Sequence, residues 1–192
     1  MILASKSPRR KEILGNVGFK LKIFSADVDE ISNKTDNIEK IMDIAYKKTV
    51  AVANNYEEHF VVGADTIVEL DGEIIGKPRD EEDAKSILQR LSGKSHRVIT
   101  GYCLINKEKN ILIKDYGVTT VFFKKLDKSM IEWYIESKQP MDKAGAYGIQ
   151  DKGSVFIEKI DGDFFTVMGF PIAKFIETLK KIGIELNEID RI

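Results

Sequence analysis

Two long β-prone runs, about 95–106 and 111–123, are separated only by a four-residue turn at 107–110. This feature constrains the fold most. Strands joined by so short a turn pair antiparallel, because a parallel crossover needs a dozen or more residues. A second hairpin signal lies upstream. Asp71-Gly72 separates an apolar, β-branched run at 59–70 from a return strand at 73–77. The rest of the chain alternates strand and helix. A strand at 1–4 leads into a helix opened by Ser7-Pro8 and stopping at Gly15. A strand at 20–25 precedes a long helix at 36–54 with the stripe Ile38, Ile41, Met42, Ala45, Val52. A helix at 80–91 aligns Ala84, Ile87, Leu88 and Leu91 and closes at Ser92-Gly93. Asp127 caps a helix to about 137, a strand follows near 154–160, and a last helix at 171–182 buries Ile172, Phe175, Ile176 and Leu179. Hairpins inside such an alternation exclude an all-parallel sheet and predict an α/β fold with a mixed sheet.

The 192 residues suit a single domain, 1–192. No apolar run approaches the ~20 residues needed to span a bilayer, and no membrane partner is expected. The first ten residues place apolar groups before charges, the reverse of a signal peptide. One cysteine excludes a disulfide framework and fits a reducing cytoplasm, the expected location. Thirty Lys and Arg balance 31 Asp and Glu, so the net charge is −1. That balance argues against a nucleic-acid coat protein, which would carry a basic excess. An anionic ligand would have to be met by a few placed cations.

Local rules fail in four places, and function is best sought there. In Ser5-Lys6-Ser7-Pro8-Arg9-Arg10 a helix start, which favours acids, instead opens with arginines. Either an anion gathers the N–H groups, hydroxyls and guanidiniums, or the turn is simply solvated. Lys48 falls inside the apolar stripe beside Ile41, Ala45 and Val52, where it needs a partner or must snorkel. Asp65, in Gly63-Ala64-Asp65-Thr66, interrupts an otherwise buried strand. It is paired with a cation, bound to a metal or placed to take a proton, unless a bulge turns it to solvent. Finally, Asp142-Lys143-Ala144-Gly145-Ala146-Tyr147-Gly148-Ile149-Gln150 is glycine-rich, fits no phosphate-loop pattern, and ends in an amide suited to a base edge.

Smaller candidates accompany these. Asp29-Glu30 offers two hard oxygen donors suited to magnesium, or a solvated acidic loop. Lys77-Pro78 ends a hairpin strand, held extended by the proline. His59 and His96 lack metal-ligand spacing and read as structural, Cys103 as a small core residue, and Trp133 with Tyr134 as packing groups. The C-terminal stripe is core or a dimer face, and a homodimer is expected.

In their order these segments resemble the Maf (septum-formation) family. The resemblance is carried by Ala4-Ser5-x-Ser7-Pro8-Arg9-Arg10-x-Glu12-x-Leu14, Gly63-Ala64-Asp65-Thr66, Lys77-Pro78, Leu91-Ser92-Gly93 with His96, and residues 142–150. It runs from residue 3 to about 171. It implies a mixed α/β sheet in two lobes around a central cleft, related to inosine triphosphate pyrophosphatases. The implied activity is nucleoside triphosphate pyrophosphatase, giving a monophosphate and pyrophosphate, with a link to cell-division arrest or nucleotide-pool cleaning. Asp65 matches the general base, while Arg9, Arg10, Glu30, Lys48 and Lys77 match phosphate- and metal-site residues. Arg9, Arg10, Thr66, Lys77 and Gln150 are similar to the branch acting on dTTP and UTP. Ser5 and Ser7 add substrate-binding hydroxyls, and Asp65 with Glu30 would hold Mg²⁺ or Mn²⁺. Thr66 would position base or sugar, and Gln150 would read a pyrimidine edge. The alternatives are a 7-methyl-GTP or other modified-nucleotide pyrophosphatase, and a non-catalytic nucleotide sensor regulating division. Three positions depart from the family pattern: Asp151 for a usual glycine, Phe170 in its Gly-Leu-Pro, and Thr49 after Lys48.

Overall fold

Seven strands form one mixed sheet, in the spatial order Lys22–Ile23, Ile2–Leu3, Val61–Leu70, Ser95–Asn106, Ile111–Phe123 and Ile157–Asp161, with Glu73–Ile75 pairing Val61–Leu70 off that path. The computed structural model describes residues 1–192. The strands are β1 (Ile2–Leu3), β2 (Lys22–Ile23), β3 (Val61–Leu70), β4 (Glu73–Ile75), β5 (Ser95–Asn106), β6 (Ile111–Phe123) and β7 (Ile157–Asp161). The helices are α1 (Pro8–Val17), α2 (Asn37–Ala53), α3 (Glu81–Leu91), α4 (Lys128–Glu136), α5 (Phe164–Met168) and α6 (Ile172–Lys181). β1 pairs parallel with both β2 and β3, whereas β3–β4 and β6–β7 are antiparallel. The expected mixed α/β sheet is therefore present. No helix is long and apolar enough to cross a membrane.

The chain divides into two compact units. The first comprises Met1–Asp65, Thr100–Gly117 and Gly169–Ile192. Ile2, Ala4, Ala45, Val52, Ala53, Val61, Cys103 and Ile105 form one of its clusters. Phe175 of α6 packs on Phe19, Tyr102 and Phe170, with ring centroids 5.8, 5.5 and 5.1 Å apart. The C-terminal stripe is thus core. Ile176 is only half-buried, and Thr178 takes the inward place, bonded to Tyr102 Oη at 2.7 Å.

The second unit comprises Thr66–Ile99 and Val118–Met168. Val68, Ala84, Leu88, Leu91, Phe123, Tyr134, Tyr147 and Phe156 belong to its core. Asp80 caps α3 through Asp83 N–H, with Glu81 and Glu82 also in the favoured first turn.

Several boundaries move for identifiable reasons. Helix α1 runs past Gly15 and ends at Gly18, whose φ of 109° supplies the left-handed cap. β2 keeps two of the six predicted residues and β4 three of five. Beyond β4, the Gly76 carbonyl accepts Gly145 N–H at 3.0 Å and leaves the β3 ladder. The strand expected near 154–160 begins at Ile157, because Asp151 caps a 3₁₀ turn at Lys152–Phe156.

Candidate active site

In the first unit the close approach of α2 to β3 sets the geometry. A Cβ on Gly63 would stand 2.4 Å from Thr49 Oγ1. Thr49 is fully buried and donates to the Ala45 carbonyl at 2.7 Å. Gly63 and Asp65 share a strand face. The backbone contact at Gly63 therefore puts the neighbouring Lys48 within reach of Asp65. Lys48 Nζ lies 2.7 Å from Asp65 Oδ1 and 2.8 Å from Glu30 Oε1. Both Lys48 and Asp65 side chains are 16% exposed. Of the readings open for Lys48, partnership holds and snorkelling does not. For Asp65, a solvent-turned bulge is excluded, since β3 passes through it unbroken.

The loop after β2 delivers Glu30 and is tied to the same helix. Lys47, which points away from the apolar stripe, donates to the Ile31 carbonyl at 2.6 Å. Consecutive lysines of α2 thus hold consecutive residues of the loop.

The first helix contributes the remaining cations. Ser7 caps it, its Oγ accepting Arg10 N–H at 3.5 Å. Ser5 Oγ accepts Ser7 N–H and Arg10 Nη1–H, each at 3.2 Å. Arg10 Nε donates to the Gly169 carbonyl at 2.9 Å. Burial pushes the Arg10 guanidinium below its usual value, Asp65 and Glu30 pull it back up, and Arg9 pushes it down again. Arg9, Arg10, Glu30, Lys48 and Asp65 therefore form one electrostatic group. Ser5 and Ser7 have structural work here: one orients Arg10 and the other caps the helix.

Thr66, Lys77 and Gln150 belong to the second unit. Thr66 is half-buried on β3. Lys77 is exposed, follows Gly76, and makes no ion pair. The Gly76–Gly145 bond joins its segment to the glycine-rich loop, where Gly145 adopts φ 70° and a Cβ would meet Val68 Cγ2 at 2.8 Å. Gln150 is exposed after five buried residues. His96 is buried, bonded through Nε2 to Tyr147 Oη at 2.7 Å, and structural as expected. Trp133 is 43% exposed with Lys152 over its ring, so the packing group of that pair is Tyr134.

A family model described as Maf-like protein matches residues 1–182. The chain belongs to the Maf family. Curated relatives include a dTTP/UTP pyrophosphatase of Fusobacterium nucleatum, 51% identical over 192 residues and all of both chains. One of Pyrococcus abyssi is 46% identical over 94% of this chain and 95% of its own. One of Bacillus cereus is 45% identical over 97% of each. Among solved structures, that of the Staphylococcus aureus Ham1 protein is similar over 64% of this chain and 70% of that one, at TM-score 0.48 and 12% identity.

Each departure from the Maf pattern has a physical counterpart. Thr49 bonds its own helix and touches Gly63. Phe170 is fully buried against Tyr102 and Phe175. Asp151 accepts from Tyr134 and Gly153. Sequence reasoning missed the roles of Tyr134, Lys143 and the Gly169 carbonyl. A lysine inside a glycine-rich segment was the only signal for any of them.

Proposed function

We propose that this Maf protein hydrolyses dTTP and UTP at the α-phosphorus, releasing the nucleoside monophosphate and pyrophosphate. The observation that carries the reading is the Lys48 ammonium between Asp65 and Glu30, beside Arg9 and Arg10. The relatives' names support the choice of substrate.

Nucleophilic attack on a polyphosphate requires its charge to be neutralised first. Arg9, Arg10, Lys48 and Lys77 are assigned to that task. Lys48 bonds Asp65 at Oδ1 and so orients the carboxylate, while Oδ2 makes no hydrogen bond. Oδ2 is the oxygen that takes the proton of the attacking water. The water oxygen bonds to the α-phosphorus, and the bridging bond to the β-phosphate breaks. Its electron pair leaves with pyrophosphate. Gln150 is assigned to the O4/N3 edge of the pyrimidine and Thr66 to base or sugar.

The donor set fits a divalent cation such as Mg²⁺ or Mn²⁺. Two hard carboxylates converge on one positive group, and no cluster of three or more His, Cys, Asp or Glu competes. Magnesium is commonly held by one or two carboxylates plus substrate phosphates. Glu30 and Asp65 would hold it, and when bound it supplies charge neutralisation at the phosphates. A homodimer and a reducing, cytoplasmic setting complete the reading, the latter suited to one free, buried cysteine.

The test is a hydrolysis screen of natural and modified triphosphates with magnesium, identifying both products. dTTP and UTP should give monophosphate and pyrophosphate in preference to CTP, GTP and 7-methyl-GTP. Release of orthophosphate and a diphosphate, preference for 7-methyl-GTP, or binding without turnover would overturn it.

A further inference from the structure

Residues 148–153 curl around one phenol oxygen. Tyr134 Oη, on the buried face of α4, accepts Gly148 N–H at 3.1 Å and donates to Asp151 Oδ1 at 3.2 Å. The same carboxylate oxygen accepts Gly153 N–H at 3.0 Å. Asp151 Oδ2 lies 3.3 Å from Lys143 Nζ. That ammonium also meets the Gln139 carbonyl at 2.6 Å and Asp142 Oδ1 at 2.8 Å, which occupies its three donors.

The space inside this turn is closed. A Cβ on Gly148 would stand 2.4 Å from Asp151 Oδ2 and 2.7 Å from Lys143 Cε. A Cβ on Gly153 would stand 2.8 Å from the Gly148 carbonyl oxygen. Both glycines are needed for the side chains to reach the backbone. The Asp151 and Lys143 side chains are only 18% and 10% exposed. The Lys143 ammonium lies between the Asp151 and Asp142 carboxylates and offsets part of their charge.

We propose that the Tyr134–Asp151–Lys143 brace is the positioning element for Gln150, and through it sets pyrimidine selectivity. The inference rests on the reading of Gln150 as the base-contacting residue. A side-chain amide can present donor and acceptor in either order. It therefore serves uracil or cytosine equally unless its backbone is held. Polar contacts discriminate only when their geometry is fixed. Anchoring Gly148 N–H and Gly153 N–H on one hydroxyl–carboxylate pair fixes the backbone on both sides of Gln150.

The test compares wild type, Asp151→Ala, Asp151→Asn and Tyr134→Phe in steady-state kinetics with UTP and CTP, with thermal melts as the folding control. Asp151→Ala should raise KM for UTP about fivefold or more and cut the UTP-to-CTP ratio of kcat/KM by a similar factor, as expected for lost hydrogen bonds. The change in kcat should be smaller than that in KM. Asp151→Asn keeps an acceptor for Tyr134 and Gly153 and should recover most of the ratio. Tyr134→Phe should reproduce the loss, and decides the matter if Asp151→Ala does not fold. A folded Asp151→Ala or Tyr134→Phe protein with wild-type KM and ratio overturns the brace. Equal loss in Asp151→Asn and Asp151→Ala also overturns it, because the effect would then come from the carboxylate's charge and not from its hydrogen bonds to Tyr134 and Gly153. Wild type without UTP or dTTP turnover would instead fail the underlying reading, so the two failures are distinguishable.

Discussion

Lys48 Nζ bonds Asp65 at one carboxylate oxygen, 2.7 Å away, and leaves the other oxygen without a hydrogen bond. A group in this state is held in place yet still able to accept a proton. Asp65→Asn preserves shape and the contact at one oxygen but removes that capacity. General-base losses run from about 100- to 10,000-fold, so kcat for dTTP and UTP should fall at least about 100-fold. Circular dichroism should be unchanged. Turnover near wild type in a folded Asp65→Asn protein would remove Asp65 from the chemistry.

Gln150 is exposed and makes no side-chain hydrogen bond within the chain. Its truncation should therefore leave folding untouched. Gln150→Ala should cost about tenfold in preference for UTP over CTP, the scale of one or two directed hydrogen bonds. Competitive hydrolysis of the two substrates measures this directly. Unchanged preference would assign base recognition to another residue.

How much of this was legible depended on whether the determinant was local. The run at 95–106, the turn and the run at 111–123 carry their own periodicity and turn chemistry, and β5 and β6 match them end to end. Asp65 was visible because a charge inside a β-branched run violates a local rule. Glu30, which shares Lys48 with it, carried no such mark, for an acid in an exposed loop violates nothing. The same holds for Tyr134, whose aromatic ring reads as packing. Its hydroxyl acquires a role only when the fold brings Gly148 and Asp151 to it. Strand β2 was overextended because Phe24 is β-prone, but that ring stacks on Tyr56 at 4.7 Å.

The contact of α2 with β3 makes a sharper stability test. Gly63→Ala puts a methyl 2.4 Å from Thr49 Oγ1 and 3.4 Å from the Ala45 carbonyl oxygen. The second distance is ordinary contact, and the first is not. Overpacking of this kind costs about 1–3 kcal/mol. Thr49→Ala removes the offending oxygen, so the double variant should recover most of the loss. Urea unfolding of the four proteins gives the coupling, and additive losses would mean that the hydroxyl is not what excludes the methyl.

His96 supplies the pH dependence. Burial lowers its pKa from 6.5 to about 4. Its Nε2 is bonded to Tyr147 Oη, while Nδ1 is buried without a partner, so a second proton would have nowhere to donate. Between the two values the unfolded chain binds a proton that the folded chain refuses. The unfolded state then holds more protons, so stability rises with pH. The contribution is fully present above pH 6.5, declines as pH falls toward 4, and levels off below that. A difference of this size corresponds to about 3 kcal/mol across the window. His96→Gln keeps a polar partner for Tyr147 but does not titrate. Urea unfolding between pH 4 and 7 should therefore show a shallower loss of stability toward acid in His96→Gln than in wild type. Parallel slopes would place the acid sensitivity in other groups.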